Sequence, residues 1–166
     1  LDLHMRNFLM VESFVENPPP RFDIIALDCV TNPQNVGMII RSIAASPATA
    51  ILLPNQGCAK LDALVIKASA GALFKATIIR CDTLNGGLQQ LLKIPSNIIG
   101  LDLSANRKLS DVQYERSVFV LGNESEGISN ETQRLCTDLV KIPMNNGVES
   151  LNVAVTASLI GFRNAL

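Results

Sequence analysis

The sequence predicts an α/β fold: a mostly parallel six-stranded sheet with helices on both faces. Three observations point to it. Short apolar runs rich in Ile, Val and Leu alternate with segments of helical spacing along the whole chain. The length of 166 residues is that of one domain able to bury a real core. Hydrophobic residues make up 48% and charged residues 17%, the balance of a compact domain rather than a disordered chain. There is no internal repeat and no low-complexity tract.

Taken in order, residues 1–15 carry a weakly helical pattern, and Pro18-Pro19-Pro20 is a stiff, extended break. Residues 1–21 are therefore expected to be a tail and linker. The chain opens on Leu1 rather than Met, which suggests the remnant of an upstream segment. The domain is expected to span 22–166. Residues 23–30 read as a buried strand. Asn32 then suits a helix N-cap and Pro33 the first helical position. Val36, Ile39, Ile40, Ile43 and Ala44 form the apolar stripe of that helix, and Arg41 falls well off it. Further strands are expected over 50–53, 76–80, 97–103, 117–121 and 139–142. Helices are expected over 61–72, 84–93 and 128–135, the second weakened by Gly86-Gly87. Residues 104–111 read as a polar loop. The last strand ends at Pro143. Asn145 to Gly147 is turn chemistry, Ser150 is placed to cap a helix, and Leu151, Val155, Leu159 and Phe162 give that helix its stripe.

Composition narrows the function. No apolar run approaches the roughly 18 residues of a membrane span, and the N-terminus lacks a signal-peptide layout. Cys29, Cys58, Cys81 and Cys136 are scattered, with no C-x-x-C pair, and read as reduced thiols of a cytoplasmic protein. With His4 the one histidine, no metal site is expected. A net charge of −1 and 4% aromatic residues argue against a strongly basic surface or a broad base-stacking platform. RNA binding would need a local basic patch, a second subunit or a further domain.

Three polar clusters follow strands and open helices. They are Asn32-Pro33-Gln34-Asn35-Val36-Gly37 with Arg41, Leu121-Gly122-Asn123-Glu124-Ser125-Glu126-Gly127, and Ile142-Pro143-Met144 through Ser150-Leu151-Asn152. The middle cluster nearly fits a phosphate-binding P-loop. However, Ile128 stands where the lysine would, and Glu124 and Glu126 would repel a triphosphate. No G-x-G-x-x-G follows a strand, which argues against a dinucleotide.

In this order and at these spacings the three clusters resemble the signature motifs of the SpoU/TrmH family of RNA ribose 2′-O-methyltransferases, in the SPOUT superfamily. The resemblance runs from about Asp23 to the C-terminus, with a secondary match at Lys67-Ala68-Ser69-Ala70-Gly71-Ala72-Leu73. It departs from the family at Ser46-Pro47-Ala48, where many members have glycine. The resemblance implies a C-terminal deep trefoil knot, an exception to the rule against threaded chains. It also implies homodimers formed through the knotted region, S-adenosylmethionine as methyl donor without a metal, and tRNA or rRNA as substrate. By position it implies cofactor contacts at Gly122, Ile142, Leu151, Met144, Leu101 and Asn123. It gives Arg41 the central catalytic role, with Asn35 and Glu124 holding it and Ser150 and Asn152 bonding the substrate or the same network. A guanidinium loses its proton only above about pH 12, so a protonated Arg41 that grips a phosphate and positions the ribose is the easier chemistry. The competing expectation is a non-catalytic RNA- or nucleotide-binding module on the same scaffold.

Overall fold

The apolar runs at the centre of the chain lie side by side, with every pairing parallel. The computed structural model describes residues 8–166; residues 1–7, with His4, lie outside the described part. The strands are β1 (Phe8–Met10), β2 (Phe22–Leu27), β3 (Ala50–Pro54), β4 (Ile78–Cys81), β5 (Asn97–Leu101), β6 (Arg107–Lys108), β7 (Arg116–Leu121) and β8 (Asp138–Lys141). They form one sheet in the order β1-β4-β3-β2-β7-β5-β8-β6. Helices α1 (Val11–Glu16) and α4 (Leu84–Leu91) pack together on one face. Helices α2 (Pro33–Ala45), α3 (Ala63–Ala68) and α6 (Val153–Phe162) pack side by side on the other. The short α5 (Asn130–Gln133) sits beside α4. A parallel sheet needs this cover, because both its faces are apolar. Ile24, Ile25, Ile51, Leu52, Ile78, Ile79 and Phe119 are fully buried in the two cores.

The register places the site. β2 and β7 pair along their whole length, from Phe22↔Arg116 to Leu27↔Leu121. β5 pairs with β7 and with β8, ending at Leu101↔Val140. The C-terminal ends of β2, β7, β5 and β8 therefore form one continuous rim. All three polar clusters leave the sheet along it, where ligands of open α/β sheets bind.

Several expectations need correction. The sheet has eight strands rather than six. The two extra strands are edge strands of three and two residues, too short for periodicity to reveal. β6 lies in the stretch expected to be a polar loop. β1 and α1 lie in the stretch expected to be a tail, yet Phe8, Leu9 and Met10 pair with Ile78, Ile79 and Arg80. Val11 and Phe14 are buried there, and the Phe14 ring meets Phe22 edge-on at 5.2 Å. The polyproline break is thus a turn between packed elements. α3 is shorter than expected: it ends at Ala68, and Ala70 and Gly71 turn the chain with positive φ. In α4, Gly87 is a packing device: a Cβ there would lie 2.7 Å from the Cys81 sulfur. The last helix begins later than expected and is capped by Asn152, not Ser150.

The chain end is tied down. Arg163 Nη2 donates to both carboxylate oxygens of Asp23 at 2.9 Å, its Nη1 donates to the Val112 carbonyl at 3.1 Å, and its guanidinium lies over the Phe119 ring. α6 is thereby fixed to the sheet at its far end, with its N-terminus at the rim.

Candidate functional site

Each cluster is shaped locally before it meets the others. The Asn32 side chain accepts from the amides of Gln34, at 2.8 Å, and Asn35, at 3.3 Å, so α2 starts as its sequence predicts. That puts Asn35 in the first turn of α2, 8% exposed, with its amide towards the loop after β7. After β7, the Asn123 side chain accepts from the amides of Ser125, at 3.0 Å, and Glu126, at 2.8 Å, and curls the chain back. Gly127, at φ +69, closes that curl against Gly122. A Cβ on Gly122 would lie 2.0 Å from the Gly127 carbonyl carbon, so only glycine permits the closure. In the third cluster the Asn152 oxygen accepts from the amides of Ala154 and Val155, at 2.8 and 3.4 Å, which caps α6.

The cap dictates where the Asn152 amide points. With Oδ1 committed to α6, Nδ2 donates to Asn35 Oδ1 at 3.1 Å and to Glu124 Oε1 at 3.4 Å. Asn35 Nδ2 donates to the same Glu124 oxygen. One residue from each cluster thus meets the other two. The network is consistent in its polarity: both amides offer hydrogens and the carboxylate accepts them. A carboxylate acceptor makes such bonds stronger than a neutral oxygen would.

Beside this triad lies a cavity of about 460 Å³. Its walls include Leu101, Gly122, Asn123, Ile142, Met144 and Leu151, all six residues expected to contact a cofactor, together with Glu124 and Ser150. The segment after β8 is irregular from Ile142 to Asn152, so its backbone groups are not paired in a ladder.

Arg41 does not join them. It is six residues beyond Asn35, about 240° around the helix. It is exposed and makes no hydrogen bond or ion pair with any described residue. Asn35 and Glu124 therefore bond each other and Asn152 instead of holding Arg41, which corrects that expectation. Ser150 lines the cavity but forms no part of the triad.

A model of the SpoU rRNA Methylase family matches residues 23–162. The chain belongs to that family. It is 36% identical over 153 residues to the 23S rRNA (guanosine-2′-O-)-methyltransferase RlmB of Xanthomonas campestris, covering 92% of this chain and 61% of RlmB. It is 32% identical over 152 residues to an uncharacterized tRNA/rRNA methyltransferase of Mycobacterium avium, covering 91% of this chain and 48% of that protein. The chain thus spans about half to three fifths of the length of these relatives. Among solved structures, the SpoU methyltransferase AviRb of Streptomyces viridochromogenes, in complex with AdoMet, has a TM-score of 0.76 at 28% identity. That match covers 86% of this chain and 56% of AviRb. An AdoMet-bound rRNA methyltransferase of Sinorhizobium meliloti has a TM-score of 0.85 over 96% of this chain and 62% of that one. At 24% identity it supports the fold alone.

This SpoU domain also lines the cavity with residues that its sequence did not single out. Asp102 after β5, Gln133 of α5, and Leu139 and Lys141 of β8 all face it. None carries a local motif; the strand order brings them together. Burial pushes the thiols of Cys58, Cys81 and Cys136 up to about 11, so these sit as neutral packing groups. No group of three or more His, Cys, Asp or Glu among the described residues could hold a metal ion, and no described helix is long and apolar enough to cross a membrane.

Proposed function

We propose that this SpoU domain transfers a methyl group from S-adenosylmethionine to a ribose 2′-hydroxyl of tRNA or rRNA. The carrying observation is that Asn35, Glu124 and Asn152 converge beside a cavity whose wall is closed through Gly122. The cofactor fits what is present. The apolar side chains of Leu101, Ile142, Met144 and Leu151 suit a flat adenine, and the cavity wall closes at Gly122 in a way that a Cβ there would block. When bound, S-adenosylmethionine supplies an electrophilic methyl group whose leaving thioether is neutral. The chain's own residues must then hold the ribose in line and accept or orient its hydroxyl proton. Glu124 uses Oε1 within the triad and has Oε2 for a further hydrogen bond. Arg41 grips a substrate phosphate through its planar guanidinium, positioning the ribose.

We further propose a homodimer formed through the α2–α6 face. Met38, Val155 and Leu159 are exposed there by 47%, 45% and 42%. The two helices are joined by the Ser158 and Ser42 hydroxyls at 2.8 Å. Arg41 lies one turn from Met38, so its substrate role would be exercised at that interface. The deep trefoil knot belongs to the same reading. β8 lies beyond β5, yet α6 packs on α2, β2 and β7, so residues 142–152 recross the rim. A reducing, cytoplasmic location fits the four free thiols.

Calorimetric titration with S-adenosylmethionine, with S-adenosylhomocysteine and ATP in parallel, tests the core of this reading. Micromolar binding of the first two and no response to ATP is the expected result. A folded chain that binds neither overturns the methyltransferase reading and leaves a non-catalytic RNA-binding scaffold. Arg41→Ala should abolish transfer to RNA while keeping cofactor affinity.

A further inference from the structure

Asp28 is 4% exposed, yet no cation faces it in any ion pair of the described residues. It stands at the end of β2, and its backbone amide donates to the Leu121 carbonyl at 2.8 Å, across to the end of β7. Its Oδ2 accepts from the Ser129 amide at 2.8 Å, 101 residues along the chain. Burying a carboxylate is costly unless its hydrogen bonds repay the lost hydration. What this bond secures is the far end of the loop 122–129.

Ser129 is itself pinned from the other side. Its hydroxyl donates to Thr132 Oγ1 at 2.8 Å, and Thr132, 1% exposed, donates on to Asn85 Oδ1 at 2.9 Å. The loop has internal bonds through Asn123, but these only curl it. Its ties to the rest of the rim are Glu124, to Asn35 and Asn152, and Ser129, to Asp28. Between those ties lie Ser125, Glu126, Gly127 and Ile128, all on the cavity wall. Glu124 is exposed whereas Asp28 is buried, so the Asp28 carboxylate is the better shielded of the two acceptors. Partial burial, and then the same carboxylate beside it, hold the Cys29 thiol above its ordinary value.

We propose that Asp28 is a positioning residue: by accepting the Ser129 amide it sets the cavity-side loop in its binding conformation, without touching the reacting groups. The effect on cofactor rests on the methyltransferase reading above; the effect on the loop does not. Losing a charge-assisted bond from a backbone amide to a buried carboxylate corresponds to about tenfold or more in a local equilibrium.

The test compares Asp28→Ala and Asp28→Asn with the parent chain by amide hydrogen exchange of the unliganded protein and by calorimetry with S-adenosylmethionine. Asp28→Ala should speed exchange across 122–129 by about tenfold, leave β2 and β7 protected, and weaken cofactor affinity by a similar factor. Asp28→Asn keeps an acceptor oxygen and should fall between the two in both readouts. Unchanged loop exchange in Asp28→Ala overturns the proposal. So does exchange that rises equally in the loop and the central strands, since that marks general destabilisation. Should Asp28→Ala not fold, Asp28→Asn decides by the same loop-against-strand comparison. A parent chain that binds no cofactor would overturn the methyltransferase reading, and the exchange result would still decide the role of Asp28.

Discussion

Gly122→Ala adds a single carbon to the chain, at the point where the loop wall closes. That Cβ would stand 2.0 Å from the Gly127 carbonyl carbon and oxygen and 2.3 Å from the Ile128 nitrogen. Carbon atoms in contact keep about 3.5–4.0 Å apart, so Gly127 must retreat by roughly 1.5 Å. All three neighbours are backbone atoms, so no rotamer change relieves the clash. If the loop holds its place, the strain costs about 1–3 kcal/mol, the range for an overfilled site. If it swings away, Glu124, two residues on, loses Asn35 and Asn152. Either way the cost falls on the conformation that forms the cavity. At about 1.4 kcal/mol per factor of ten, S-adenosylmethionine should bind roughly ten to a hundred times more weakly. The central strands lie outside the clash, so the melting transition should stay cooperative. Calorimetry beside a thermal melt reads both effects. A variant that binds the cofactor within about twofold of the parent chain would refute the argument that this glycine is demanded by the cavity wall.

Three further outcomes are expected. Asn152→Ala removes the α6 cap and should cost about 1 kcal/mol in urea unfolding; it also removes both donors to Asn35 and Glu124, so its loss of methyl transfer should exceed its loss of stability. Arg163→Met leaves the Asp23 carboxylate, whose side chain is 18% exposed, with only the Asn164 amide as a side-chain donor and no counter-charge, and should cost about 3 kcal/mol, lowering Tm by roughly 10 °C; a shift under about 2 °C would show that the pair holds nothing. The thiols of Cys58, Cys81 and Cys136 titrate near 11 when folded against 9.0 when free, so between those values the unfolded chain has shed protons that the folded chain keeps. Their contribution is complete below about pH 9 and is lost as pH rises towards 11, so the urea midpoint should fall over that window; substituting the three cysteines by alanine should flatten that fall.

How far the site could be read from the chain depended on whether its signals were local. The N-cap at Asn32 with Pro33 behind it, the curl around Asn123 and the turn at Gly147 are written in neighbouring residues, and α2 starts where they say. Leu151, Met144 and Ile142 were expected at the cofactor from what the third cluster's resemblance to the family motif implies, and they line the cavity. Asp28 was not. Nothing around it announces a ligand, and its partner Ser129 lies 101 residues away. The Ser150 cap was misread because Ser and Asn two residues apart cap equally well in principle. The choice fell to Asn152, whose amide is also held by Asn35 and Glu124.

By itself the sequence determined the class of fold and the three clusters of chemistry, because strand and helix periods, caps and glycine turns act over a few residues. It could not determine the two short edge strands: a two-residue strand has no period, and β6 exists because β8 offers it a ladder. Nor could it place Arg41 against the triad. Helical geometry turns Arg41 away from Asn35, and the burial of α2 between α3 and α6 fixes which side of the helix faces outward. The convergence of Asn35, Glu124 and Asn152 is likewise a product of strand order. Parallel pairing of β2 with β7, and the return of α6 beside α2, carry the amides of Asn35 and Asn152 to one oxygen of Glu124.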